Sequence, residues 1–220
     1  MKYVMAFGGG QRGPALLVGA TRATVAAECR AAALEFMTGV ASGWEKVDLA
    51  RWLTGPYAHA TRHCQHGERT FFSSVSRDSR DSDATPVAID RQKIDQVLST
   101  TRARMLAALE KAALSNGALE LVEDALALGF VRRAVDEEGT EVWVPVDSAR
   151  MRLLDRVRAL FVADYLDDPV AYRSLYVCHR CEAVVFDEGA RQLGMCSAHR
   201  RMSGIVYRND EEIARAAGEQ

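Results

Sequence analysis

The residues with the most chemistry to offer are Cys178, Cys181, Cys196 and His199. Two residues separate the members of each pair, and fourteen lie between the pairs. Thiolate sulfur and imidazole nitrogen are the donors that Zn²⁺ takes in a tetrahedral shell. A two-residue gap lets one tight turn aim both its ligands at a single point, and two such turns close the shell. Four protein ligands leave no position for a substrate, so the expected role of this zinc is structural, not catalytic. His179, inside the first pair, is a spare ligand for the same site. The plain alternative is that the two pairs are unrelated and simply reduced.

A second cluster is the run "HATRHCQH", which carries His59, His63, Cys64 and His66. On a helix, offsets of zero, four and seven put the three histidines on one face, with Cys64 about 100° away. Three protein ligands and an open position would activate a water, the chemistry of a metal-dependent hydrolase. Against this, no glutamate follows His59 in the metalloprotease manner, Gly67 ends any helix, and the nearest carboxylate is Glu68. The alternative is a solvated or partly packed polar segment. Glycines 8, 9, 10 and 13 form a third candidate, a phosphate loop. No Lys-Ser or Lys-Thr follows Gly13, and Pro14 leads into a strand, so a plain hairpin connection is the better reading.

The elements that must position these residues follow from periodicity. "KYVMAF" and "ALLVGA" read as strands around a glycine-rich turn. A helix follows from an N-cap at Thr24, with Val25, Cys29, Ala32, Phe36 and Val40 on its apolar face. A shorter helix around "EKVDLARWL" is anchored by Trp44 and Trp52 and broken at Gly55–Pro56. The middle region holds a long helix with Ile94, Val97, Leu98, Met105, Leu109 and Ala113 as its stripe, ended by "SNG" at 115–117. A second helix over 118–128 buries Leu119, Val122, Ala125 and Leu126. "FVRRAVDEEGTEVWVPV" is a hairpin, and a last helix runs over 148–166.

Helix, turn, helix and hairpin is the order of a winged helix-turn-helix, and the middle region resembles one. Its second helix carries Glu120, Glu123 and Asp124 and no basic residue, so phosphate repulsion opposes DNA readout there. The pattern around the cysteines, with strand-like "SLYV" before and "GIVYR" after, resembles the zinc-ribbon and treble-clef modules over about residues 174–208. That resemblance implies a structural zinc and names no activity. The proline and glycine common around a ribbon knuckle are absent: His179, Arg180 and Glu182 fill those places. Between the pairs, "EAVVFDEGARQLGM" has the length for a strand, a turn and a return.

The whole chain sets the frame. Its 220 residues carry 28 basic and 30 acidic side chains, with 48% hydrophobic residues. That length sustains a core without disulfides. A net charge of −2 exerts no global pull on nucleic acid or acidic lipid. No apolar run reaches the ~18 residues of a membrane helix, and the start does not read as a signal peptide. Five cysteines, three at metal spacing, suit a reducing cytoplasm. The fold expected is α+β: an N-terminal hairpin-plus-helix part over 1–72, a Ser/Asp/Arg linker over 73–86, a winged-helix-like part over 87–171, a zinc-ribbon-type module over 172–208 and a tail or short helix over 209–220. The function expected is a non-catalytic, zinc-stabilised adaptor or complex subunit whose partner is another protein. The alternatives are a nucleic-acid-binding regulator using Arg180, Arg200 and Arg201, and a hydrolase at His59, His63 and His66.

Overall fold

The computed structural model describes residues 15–17, 19–64, 91–148 and 151–202. The fold class is α+β, mostly helical, with two small sheets. Helix α1 spans Arg22–Ala41. Its cap is Thr21, not Thr24: the Thr21 hydroxyl accepts the Thr24 N–H at 3.3 Å, one turn earlier than the sequence suggests. Either threonine can cap, and the earlier one adds helical residues without losing a hydrogen bond. Val25, Cys29, Ala32 and Phe36 are buried as the periodicity requires.

Helix α2 spans Lys46–Trp52, and the Asp48 carboxylate accepts the Glu45 N–H at its start. Gly55–Pro56 does not break the chain as expected. Instead a π-helical turn, Leu53–Tyr57, carries Pro56 inside it and runs into the single turn α3, Ala58–Ala60. A widened turn accommodates a residue that lacks an N–H and would clash in a regular helix. Trp52 is buried, and its Nε1 donates to the Ala32 carbonyl at 2.9 Å. Trp44 meets Phe36 edge-on with ring centroids 5.9 Å apart. It also crosses Gly39 so closely that a Cβ there would lie 1.9 Å from the indole.

The first sheet has three strands in the order β1 (Ala15–Leu16), β2 (Val131–Val135) and β3 (Glu141–Pro145). The β2–β3 hairpin is the one expected, in antiparallel register with Ala134 opposite Val142. Of the expected N-terminal hairpin, "KYVMAF" and the glycines at 8–13 lie outside the described residues. "ALLVGA" supplies β1, which pairs parallel to β2.

Helix α4 spans Arg91–Leu114, α5 Leu121–Ala127 and α6 Leu153–Asp167. The order helix, turn, helix, hairpin holds, but α5 is shorter than the 118–128 expected and leaves Leu126 exposed. Helix α1 packs along α6 and β3, while α4 packs on α6. One buried cluster joins Leu17, α1, Trp52, Tyr57, α4, the β2–β3 hairpin and α6 to Tyr172, Leu175 and Val177. Elements on both sides of residues 73–86 thus share a core. The linker itself and the 209–220 tail lie outside the described residues. Among the described residues no helix is long and apolar enough to cross a membrane.

Two polar networks pin this core. Asp164, fully buried, takes both forks of Arg30 at 2.9 Å and the Tyr172 hydroxyl at 2.9 Å. Arg30 also reaches Asp168 at 2.8 Å. Burial pushes the Asp164 carboxyl up despite the guanidinium beside it. The other network joins Arg156 to Asp147, to the Ser148 carbonyl and to the Tyr57 hydroxyl. A buried charge this well matched holds a unique arrangement more than it adds stability.

Candidate metal centre

The route to the centre begins where the helical core ends. Strands β4 (Leu175–Val177) and β5 (Val184–Phe186) pair antiparallel, with Leu175 opposite Phe186 and Val177 opposite Val184. The turn between them carries Cys178 and Cys181. It is closed by the Cys178 N–H donating to the Ala183 carbonyl at 2.9 Å and the Glu182 N–H donating to the Cys178 carbonyl at 2.7 Å. Glu182 stands in the left-handed region, φ +55°, where glycine is at ease and a side chain is strained. What holds it there is Arg102 on α4. Its Nη1 donates to the Glu182 carboxylate at 2.6 Å and its Nε to the Met37 carbonyl at 3.1 Å. The turn is therefore fastened to α4 and, through it, to the end of α1.

The second pair is delivered by helices. The stretch between the pairs returns as β5 only. Residues 188–193 then form α7 (Glu188–Leu193) where the end of a return strand was expected. Asp187 explains the difference: its carboxylate caps α7 by accepting the Gly189 N–H at 2.8 Å. The helix also turns Ala190 into a small cluster with Tyr176, Cys178 and Cys196. Helix α8 (Ser197–Met202) starts directly after Cys196, whose carbonyl accepts the Arg200 N–H at 3.0 Å. That first turn swings His199 back over Cys196. "GIVYR" lies outside the described residues.

The four predicted ligands converge. One donor atom from each of Cys178, Cys181, Cys196 and His199 lies within 4.8 Å of all the others. Cys181 Sγ is 3.7 Å from Cys196 Sγ, and His199 Nδ1 is 3.6 Å from Cys178 Sγ and 3.3 Å from Cys196 Sγ. Bonds of about 2.3 Å from zinc to sulfur put two sulfurs about 3.8 Å apart on a tetrahedron, and a sulfur and a nitrogen slightly closer. The observed edges match that shell. They do not match a disulfide, whose sulfurs approach to about 2.05 Å. The cysteines are accordingly free thiols.

The protein also tunes these thiols. Burial pushes the Cys178 thiol up, but backbone N–H groups of Cys196, Arg180 and Cys181 outweigh it and bring it down to about 6. Burial and the neighbouring sulfurs of Cys178 and Cys196 push Cys181 up to about 11. A divalent ion at the centre opposes that shift. His179, the spare ligand, points elsewhere and meets the Tyr176 ring edge-on at 5.9 Å. Around the site Arg200 pairs with Asp187 at 2.7 Å, while Arg180 and Arg201 are exposed.

Of the second cluster, His59 and His63 lie among the described residues. Helix α3 stops at Ala60, and a 3₁₀ turn over Arg62–Cys64 follows. His59 and His63 approach one carboxylate, that of Glu28 on α1, at 3.2 and 4.0 Å. Arg62 already holds Glu28 with both forks, at 2.5 and 2.8 Å. Burial and the Arg62 charge lower the His63 basicity. His66 and the Cys64 side chain lie outside the described residues.

Glu28 was invisible in the sequence because it comes thirty-one residues before His59, one of several charged residues on the outer face of α1. Arg102 was equally hidden, since nothing in the pattern of α4 marks one arginine among several. No family model matches the chain, and no curated protein or solved structure resembles it significantly.

Proposed function

We propose that this protein is a non-catalytic, zinc-stabilised binding protein, an adaptor or subunit of a complex. The observation that carries the reading is the closed set of four ligands, three sulfurs and one nitrogen at tetrahedral spacing. Cys178, Cys181, Cys196 and His199 would hold one Zn²⁺, which would supply rigidity and no open coordination position. Because one pair comes from a hairpin turn and the other from a helix start, the arrangement is closer to a treble clef than to a two-hairpin ribbon. The partner in this reading is another protein. A groove of about 480 Å³ runs between the end of α4 and the module, with exposed Leu114 at its lip and Val177, His179 and Arg191 along it.

Nucleic acid is the weaker partner. Arg200 is committed to Asp187, so Arg180 and Arg201 face solvent with little to reinforce them. Helix α5 presents Glu123 and Asp124 outward, which opposes phosphate. Hydrolysis at His59, His63 and His66 finds no support in a Glu28 already neutralised by Arg62.

Fluorescence anisotropy with duplex DNA and with single-stranded RNA tests the reading. No saturable binding at physiological salt is the result expected. Salt-steep binding that disappears in Arg180→Glu/Arg201→Glu would transfer the function to the regulator alternative.

A further inference from the structure

A cavity that shares no residue with the metal ligands lies along α4. It opens between α4 and the start of α6 and measures about 570 Å³, the size of a small-molecule pocket. Three arginines are among its lining residues, Arg104, Arg152 and Arg158, with Asp155 the one acidic residue among them. Arg104 and Arg152 are exposed and have no hydrogen-bond or ion-pair partner among the described residues. Arg158 is mostly buried, reaches Asp124 only at 3.8 Å, and keeps its Nε buried with no hydrogen-bond partner. Three arginines around one cavity favour an anion within it.

The rest of the lining points the same way. Helix α6 opens into the cavity at Arg152, which gives the helix no side-chain cap. The first N–H groups of α6 are therefore left without an intrahelical acceptor, at the positive end of the helix. Thr100 and Thr101 add hydroxyls on the α4 wall. An apolar shelf of Val97, which is 49% exposed, with Leu153 and Leu154 completes the lining.

We propose that this cavity binds a phosphomonoester. Three arginines outnumber the carboxylates near them, Asp155 and the Asp124 that lies 3.8 Å from Arg158, so the site keeps a net positive charge for a phosphoryl group, and guanidinium forks suit its oxygens. The cavity is much larger than a phosphate group. The organic body of the ligand lies on the Val97, Leu153 and Leu154 shelf, where an aromatic or aliphatic moiety loses water-exposed area. This assignment is independent of the metal centre.

Isothermal titration with phenyl phosphate and with inorganic phosphate tests it on the full-length, zinc-loaded protein. Phenyl phosphate saturates one site and inorganic phosphate binds about tenfold more weakly, having the charge but no apolar body. Arg104→Gln and Arg152→Gln, both at exposed positions, each weaken phenyl phosphate by about tenfold, the scale of a charged hydrogen bond. Val97→Asp weakens phenyl phosphate and reduces its advantage over inorganic phosphate. No saturation at about 10 mM phenyl phosphate, where even a ~1 mM site is nine-tenths filled, would overturn the proposal. So would binding that is unchanged in the Arg104→Gln/Arg152→Gln double variant. Equal affinity for the two probes would overturn the assignment to a phosphomonoester.

Discussion

At the scale of single residues, the chemistry sits where the cysteine spacing puts it, and the support for it does not. Cys178, Cys181, Cys196 and His199 were legible because a two-residue gap has one geometric use for soft ligands. Glu182 was legible only as a missing glycine. Its left-handed backbone shows that the turn keeps the glycine conformation and uses Arg102 to hold a strained side chain there. This separates two substitutions. Glu182→Ala keeps the strain and loses the ion pair, while Glu182→Gly loses the pair but relieves the strain. Glycine should be the more stable variant by about 1 kcal/mol in urea denaturation. A second residue-scale prediction concerns Gly117, which has φ +86° and whose added Cβ would lie 2.5 Å from the Tyr172 carbonyl oxygen. Gly117→Ala should cost at least about 2 kcal/mol, since neither the left-handed turn nor the opposing backbone can give way.

Among the elements, periodicity located the helices and the β2–β3 hairpin but misjudged their ends. Thr21 and Thr24 are equivalent in sequence, and only the path of the preceding chain selects between them. Gly55–Pro56 reads as a stop because local rules see a missing N–H. The packing of Trp52 and Tyr57 on either side keeps the chain helical through it. Helix α7 escaped because six residues carry too little periodicity, although the Asp187 cap was a usable signal.

The junction of α6 with β3 makes a prediction of its own. The Asp167 carboxylate accepts the Trp143 N–H at 3.0 Å, and burial pushes its carboxyl up to about 7 despite that bond and Arg22. A folded value above the unfolded one of about 3.9 means a contribution to stability that is complete below about pH 4 and lost as pH rises through about 7. Asp167→Asn keeps an acceptor for Trp143 and has no proton to lose. The urea midpoint of the native protein, compared with that of Asp167→Asn, should therefore fall between about pH 4 and pH 7 and level off above it. A constant difference across that window would show that Asp167 keeps an ordinary value.

Across the whole molecule, the zinc module is not an appendage. Tyr172, Leu175 and Val177 belong to the main core, Arg102 fastens the first turn to α4, and Arg191 donates to the Asn116 side-chain oxygen at 3.4 Å. None of these ties was legible, because each joins residues far apart in sequence whose types are common. They bear on metal removal. Chelation should release residues 178–202, with α7 and α8, to protease while β4 and helices α1–α6 stay protected, because β4 is packed on α4 without help from the ion. Collapse of the entire fold would mean that the ion organises the core as well.

The central claim is a closed, three-sulfur, one-nitrogen shell around one structural zinc, and X-ray absorption at the zinc edge of the purified native protein tests it most directly. One zinc per chain is expected, with three sulfurs at about 2.3 Å, one nitrogen at about 2.0–2.1 Å and no water oxygen. A native protein without zinc, or a shell with fewer than three sulfurs and a bound water, would contradict it.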